Sequence, residues 1–149
     1  MAKGIKTTRL KLDIASINGD GYHLFADVRI KRFKLRMLID TGASRSVLDK
    51  TFLQQHFKNM ELVTADDKAT GLGSNTITSK VATLPEFILG RLRLSDYTVA
   101  VLDLSHVNET YAKVSLPSIA GVIGSDIFFT HNAVINYSKK TLALKWHRA

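Results

Sequence analysis

Cysteine is absent from the 149 residues, which excludes disulfide bonds, thiolate catalysis and cysteine-ligated metal sites. No run of about 18 apolar residues occurs, so no helix is expected to span a membrane. Residues 1–6 contain two lysines but no apolar stretch follows them, so the pattern of a signal peptide is missing. From these absences we expect a cytoplasmic location if the chain is complete.

Basic residues outnumber acidic ones, with 21 lysines and arginines against 13 aspartates and glutamates and a formal net charge of +8. Such a balance favours acidic surfaces and nucleic acid as partners. The basic residues are nevertheless scattered along the chain in pairs such as Lys31-Arg32 and Lys139-Lys140, at expected turns and outward strand faces. We therefore favour a solvated surface over a nucleic-acid site, and a nucleic-acid binder that uses the net charge stays open as an alternative. No two histidines are three or four residues apart, so we also expect no metal site.

Alternation of apolar and polar residues dominates the chain and indicates strands with one buried face. In each of the first three alternating runs the apolar residues lie on one face, which is expected to be buried: Leu10, Leu12, Ile14; Leu24, Ala26, Val28, Ile30; and Phe33, Leu35, Met37. Lys31-Arg32 predicts a hairpin turn, and further strands are expected over residues 87–94 and 97–101. A final hairpin is expected from strands over residues 133–137 and 141–146, with a turn at residues 138–140. We expect one all-β domain over residues 1–149, with residues 1–8 as a poorly ordered N-terminal extension.

Helix is expected only in short pieces. Asp49 is a candidate N-cap for a helix that ends near Phe57, and Ser125 or Asp126 for a second helix that ends near Phe129. Residues 108–118 are expected to form a loop. The glycines at residues 71 and 73 fit either a mobile hairpin tip or an ordinary turn, and the local sequence favours neither.

The polar segment Asp40-Thr41-Gly42-Ala43-Ser44 follows the apolar run at residues 37–39, where a buried strand ends. Catalytic and binding residues tend to lie in such loops. A second apolar run, Val122-Ile123-Gly124, comes about 80 residues later. These two segments, with the glycine-rich stretch between them, resemble the retropepsin-like aspartic proteases in order and spacing from about residue 24 to residue 144, and the last part is most similar to single-domain cellular and bacterial members.

The resemblance implies an acid-protease fold, a closed β-barrel or sandwich with one or two short helices. It implies a homodimeric endopeptidase in which Asp40 of each copy is catalytic, with Thr41 and Gly42 supporting the pair of carboxylates. It assigns substrate contacts to Gly42, Ala43, Ser44, Ile123 and the flap residues Gly71, Leu72, Gly73 and Ser74, and structural support to Val122 and Gly124. No cofactor or metal is implied; the partners are a second copy and a polypeptide substrate.

Two departures from retroviral members stand out. One is the segment after Gly124, which is expected to form a hairpin rather than a short terminal strand, and the other is a missing ion pair. Those proteins usually carry an ion pair at the positions of Ser44 and Ser125, and here both residues are serine. Pepsin-like relatives carry a hydroxyl at the position of Ala43, which would bond an ionised carboxylate; alanine cannot, so we expect a mildly acidic optimum, about pH 4.5–6.5. The alternative function is a catalytically silent module that keeps the retropepsin fold for binding or assembly.

Overall fold

The computed structural model describes residues 4–64 and 80–148. Its strands are β1 (Ile5–Lys11), β2 (Asp13–Ser16), β3 (Tyr22–Ile30), β4 (Phe33–Ile39), β5 (Val47–Asp49), β6 (Val63–Thr64), β7 (Lys80–Leu89), β8 (Leu92–Leu102), β9 (Gly121–Ile123), β10 (Val134–Asn136) and β11 (Thr141–His147). Its helices are α1 (Lys50–His56), α2 (Ser105–Lys113) and α3 (Ser125–Thr130). None of the helices in these residues is long and apolar enough to cross a membrane.

A closed barrel forms the centre of the fold. Strands pair in the order β2-β3-β4-β9-β5-β8-β7-β6, and an additional β3–β7 pairing closes six of them into a ring. Residues at every second position of β3 and β4, among them Val28, Leu35 and Met37, are buried inside it. The predicted all-β fold class with a closed barrel is therefore confirmed.

Several local predictions are also confirmed. Lys31, in the turn between β3 and β4, has a φ of +55°, a left-handed conformation typical of tight hairpins. The Asp49 carboxylate accepts a hydrogen bond from the Phe52 backbone N–H at 3.3 Å and caps α1. β10 and β11 form the expected C-terminal hairpin.

A second, three-stranded sheet pairs the two ends of the chain in the order β1-β11-β10. The expectation of a poorly ordered extension is wrong for residues 5–8, because Ile5 pairs with His147 and Thr8 pairs with Leu144. This pairing joins residues more than 130 positions apart in the sequence. Local alternation over so short a segment does not reveal a partner at that distance.

Two further boundaries differ from the expectation. The single strand expected over residues 87–94 is broken, because Gly90 turns the chain with a φ of +63° between β7 and β8. A loop was expected over residues 108–118, but residues 108–113 belong to α2. The N-cap residue of α2 is Leu104, whose side chain cannot accept a hydrogen bond, so the usual N-cap signal in the sequence is missing there.

Tertiary packing accounts for α2. Its Tyr111 is 2% exposed and meets the Phe25 ring edge-on, with 5.4 Å between ring centroids. Phe25 lies on the outer side of the barrel. Phe25 and Tyr111 form a second apolar cluster with Val47, Leu104 and Ile119. The helix is therefore stabilised by covering an outward strand face rather than by its own propensity.

Candidate active site

Strand β9 lies between β4 and β5, parallel to the first and antiparallel to the second. Residues 40–46, which connect β4 to β5, must therefore cross over the end of β9. The Asp40 backbone N–H donates to the Ile123 carbonyl at 3.0 Å. Asp40 is thus fixed by the inserted strand at the first residue after β4.

The backbone of the loop also fixes the Asp40 carboxylate. The Gly42 N–H donates to Asp40 Oδ1 at 3.0 Å, and the Ala43 N–H donates to the Asp40 carbonyl at 3.1 Å. Asp40 is partly buried, whereas Thr41 and Gly42 are exposed. A Cβ atom at position 42 would meet Asp40 Oδ1 at an ordinary 3.4 Å, so packing within one copy does not require glycine there.

The Asp40 carboxylate opens onto a cleft of about 320 Å³. Tyr22 and Tyr137 on its rim are 68% and 63% exposed, which is high for aromatic side chains. The cleft is lined by residues of β3, β4 and the C-terminal hairpin: Tyr22, His23, Leu24, Leu38, Ile39, Asp40, Thr41, Ile135 and Tyr137. A carboxylate beside apolar and aromatic walls is suited to an extended chain with apolar side chains.

A buried polar network, which sequence reasoning missed, holds the loop onto α3. Ser46 is 0% exposed; its Oγ accepts from the Gly124 N–H at 3.0 Å and donates to Asp126 Oδ1 at 2.8 Å. The Tyr97 hydroxyl donates to Asp126 Oδ2 at 2.7 Å. Asp126, expected only as a helix cap, instead accepts bonds from the loop and from β8.

The Tyr97 hydroxyl keeps its proton within this network. Burial raises the pKa of the Tyr97 hydroxyl well above its ordinary value, and its hydrogen bond to Asp126 raises that pKa further. The Tyr97 hydroxyl therefore stays protonated over the physiological range and acts as a donor. No local sequence signal marks this residue, because its partner lies 29 positions away.

The expected support residues lie directly beneath the loop. Val122 pairs with Leu38 of β4 and with Val47 of β5. A Cβ atom at Gly124 would lie 2.6 Å from the Ala43 carbonyl oxygen, so only glycine allows the loop to approach so closely. The Ser125 N–H donates to the Ala43 carbonyl at 2.7 Å.

Other expected site residues are placed differently. Ile123 is 0% exposed, so in one copy its side chain packs in the core and does not line the cleft as expected. Ser44 is exposed. The expected flap residues Gly71, Leu72, Gly73 and Ser74 lie outside the described residues.

His23 is a cleft residue that the sequence did not single out. Its Nδ1 lies 2.8 Å from the Tyr111 hydroxyl, which connects the cleft wall to α2. Burial raises the pKa of Tyr111; Arg36 opposes this shift, and the negative charge of Asp40 adds to it. Within residues 4–64 and 80–148, no group of three or more His, Asp or Glu side chains is placed to hold a metal ion.

Comparisons with known proteins agree with this geometry. A sequence model of the aspartyl protease family matches residues 15–127. A retropepsin-like aspartic protease from Rickettsia conorii superimposes with a TM-score of 0.54 at 17% identity, over 95% of this chain and 92% of that protein. The retroviral protease-like domain of Ddi1 from Leishmania major gives a TM-score of 0.52 at 14% identity, over 82% of this chain and 87% of that one.

At these identities the two structural likenesses show a shared fold. No curated protein sequence matches the chain significantly. The family match is independent of the structural likenesses and covers most of the chain, including Asp40, Gly42 and the β9 strand. The chain belongs to the aspartyl protease family.

Proposed function

We propose that the protein is a homodimeric aspartic endopeptidase whose catalytic centre consists of Asp40 from each of two copies. The observation that carries the proposal is the Asp40 carboxylate itself, held by the Gly42 N–H and open to a cleft with apolar walls. Two carboxylates about 3 Å apart cannot both ionise, so they share a proton and supply a base and an acid together.

A second copy is required because the chain supplies only one such carboxylate. Asp-Thr-Gly occurs once in the sequence, and no Asp-Ser-Gly is present. Among the described residues, the Asp40 carboxylate accepts a hydrogen bond from the Gly42 N–H and forms none with another carboxyl group. A two-fold axis close to Asp40 brings identical residues face to face, which is the simplest way to form the pair.

In the proposed reaction, a water molecule lies between the two carboxylates. The ionised Asp40 takes a proton from this water while its protonated twin polarises the peptide carbonyl, and the water oxygen attacks the carbonyl carbon. The carboxyl that took the proton from water then passes it to the leaving nitrogen as the C–N bond breaks, which releases an amine and a carboxylic acid and leaves the pair again sharing one proton. Gly42 keeps each carboxylate oriented through its N–H, so little reorganisation is needed during the reaction.

The proposed substrate is an extended polypeptide with apolar side chains near the cleaved bond. Leu24, Leu38 and Tyr22 line the wall that such side chains would contact. Thr41 is exposed, so it is available to contact the opposing loop of the second copy. Residues 71–74, as a flap, are proposed to cover the bound chain.

The test compares wild type with Asp40→Asn on oxidised insulin B chain at about pH 5, with fragments identified by mass spectrometry. We expect cleavage by wild type and a loss of at least about 1,000-fold in Asp40→Asn, because the neutral amide cannot accept the proton of water. Asp20→Asn is the matched control, since Asp20 is an exposed turn residue outside the cleft. Circular dichroism establishes that all three proteins are folded.

Two outcomes would overturn the proposal. Undiminished cleavage by Asp40→Asn would mean that another group or another protein does the chemistry. A folded, dimeric wild type that cleaves neither insulin B chain nor a random peptide library would instead favour a catalytically silent module for binding or assembly.

A further inference from the structure

The net charge of the protein is confined to the two ends of its sequence. Residues 1–12 and 127–149 contain eight lysines and arginines and no aspartate or glutamate. Residues 13–126 contain thirteen basic and thirteen acidic residues, so their formal charges cancel. The whole net charge of +8 therefore belongs to the terminal segments.

The fold brings both terminal segments into one sheet. β1, β11 and β10, named here the terminal sheet, pair side by side, and the turn between β10 and β11 adds Lys139 and Lys140. Basic residues from the two ends of the sequence thus lie in one sheet. This is why the sequence expectation of a merely solvated basic surface has to be reconsidered.

One face of the terminal sheet packs on the barrel and the other faces solvent. Leu10, Leu142 and Leu144 are buried on the inner face. Because directly paired residues point the same way, Thr7 and Lys145 share the outer face, as do Lys11 and Thr141. Arg9, Lys11 and Lys145 are all exposed on it.

This outer face is not neutralised by its surroundings. None of the ion pairs formed between described residues includes a residue of the terminal sheet. The acids nearest its end, Asp13 and Asp27, lie with Lys11 in a neighbouring cleft but are paired with Arg36 and Lys34. Arg91 lies beside the edge of β1, where its Nη2 donates to the Thr7 carbonyl at 2.5 Å.

We propose that the outer face of the terminal sheet is a docking surface for the phosphate backbone of double-stranded nucleic acid. Cations separated by threonine hydroxyls provide both charge and hydrogen-bond donors, the groups that contact phosphate oxygens. Trp146 pairs with Lys6 on the inner side, so among the three strands the outer face offers only the His147 imidazole for stacking of single-stranded bases. Binding is expected to be independent of base sequence.

An anionic membrane is the competing partner for a basic face. Membrane-binding surfaces combine cations with large apolar side chains that enter the lipid. On this face the exposed large apolar residues are Ile5 and Val134, which lie on different strands with β11 between them. The face therefore fits a polar polyanion better than a bilayer.

The experiment measures fluorescence anisotropy of a fluorescein-labelled 20-base-pair DNA of mixed sequence, titrated with the whole protein between 50 and 300 mM salt. Wild type is expected to bind at 50 mM salt, with a slope of log affinity against log salt of about −3 for three neutralised phosphates. The triple variant Arg9→Gln/Lys11→Gln/Lys145→Gln is expected to lose at least tenfold in affinity and most of the salt slope.

The matched control is Arg32→Gln/Lys50→Gln/Lys113→Gln, which removes the same charge from exposed residues outside the terminal sheet. We expect it to keep affinity within about threefold of wild type. Equal losses in both triple variants would show a nonspecific effect of net charge and overturn the proposal. It would also be overturned by no binding at 50 mM salt, or by binding to phosphatidylglycerol vesicles without binding to DNA.

Discussion

Ser46 bonds the loop at residues 40–46 to the rest of the fold with a single hydroxyl group. It accepts from the Gly124 N–H and donates to Asp126, and it is fully buried. Removing a hydroxyl of this kind leaves a buried donor and a buried acceptor without a partner, and each such group costs free energy of folding.

We predict that Ser46→Ala lowers the free energy of unfolding by about 2–3 kcal/mol. Ser44→Ala, two residues earlier in the same loop but exposed, is expected to change it by less than about 0.5 kcal/mol. Urea unfolding at one protein concentration measures both values. Equal stability of the two variants would show that the Ser46 network contributes nothing to holding the loop.

Residue-scale prediction from sequence succeeded where the signal is local. Asp40, Thr41 and Gly42 form a contiguous segment after an apolar run, and the structure places them at the end of β4 as expected. Ser46 and Asp126 are 80 positions apart, and a serine or an aspartate has no local feature that marks a buried partner. The network therefore becomes visible only when the fold brings β8, the loop and α3 together.

Strand β9 is the element on which the site is built, and it fits between β4 and β5 only because it begins with glycine. A Cβ atom at position 121 would collide with the Val47 carbonyl and would lie 2.9 Å from Met37 Cε. The apolar run that ends in glycine was recognisable from the sequence. The sequence did not reveal that this run inserts between β4 and β5, two strands that follow one another along the chain.

We predict that Gly121→Ala destabilises the protein by about 1–3 kcal/mol, because β5 must move away from β9 to admit the methyl group. Gly42→Ala makes the same chemical change at an open position and is expected to alter stability by less than about 0.5 kcal/mol. Thermal unfolding of the two variants, followed by circular dichroism, compares them directly. A Gly121→Ala melting temperature equal to that of wild type would mean that β9 has more room than its contacts indicate.

Elements with strong local patterns were predicted well, and those that depend on distant contacts were not. The β3–β4 hairpin, α1 with its Asp49 cap and the C-terminal hairpin follow from alternation, turn and capping residues. Helix α2 has no such cap and is held by Tyr111 against Phe25, a contact between residues 86 positions apart. β1 depends in the same way on pairing with β11.

At the scale of the whole molecule, the two proposed functions, peptide cleavage and nucleic-acid binding, lie on different surfaces. Asp40 and its cleft involve Ile135 and Tyr137 of the C-terminal hairpin, whereas the basic outer face belongs to residues such as Arg9 and Lys145. A second copy seated at Asp40 would bring two terminal sheets near one another. Two basic faces would then be available to one polyanion, which would strengthen its binding through a higher effective concentration.

The proposed symmetry predicts the outcome of mixing active and inactive copies. If catalysis needs Asp40 from both copies, each dimer that contains one Asp40→Asn chain is inactive. With random exchange and a ninefold excess of Asp40→Asn, only about one tenth of the wild-type chains remain in active dimers, so cleavage should fall about tenfold. The measurement is peptide cleavage at a fixed wild-type concentration after equilibration with increasing amounts of the variant.

Serum albumin added at the same mass controls for crowding and for competition by bulk protein, and it should leave the rate unchanged. A rate that stays proportional to the wild-type chain alone, under conditions where sedimentation shows mixed dimers, would mean that a single Asp40 is sufficient. The carboxylate held by Gly42 would then need another acid from its own chain, and the requirement for two copies would fail while the aspartyl protease fold remained. A tenfold decrease would instead support a two-fold axis at Asp40, because the activity of one chain would then depend on the carboxylate of its partner.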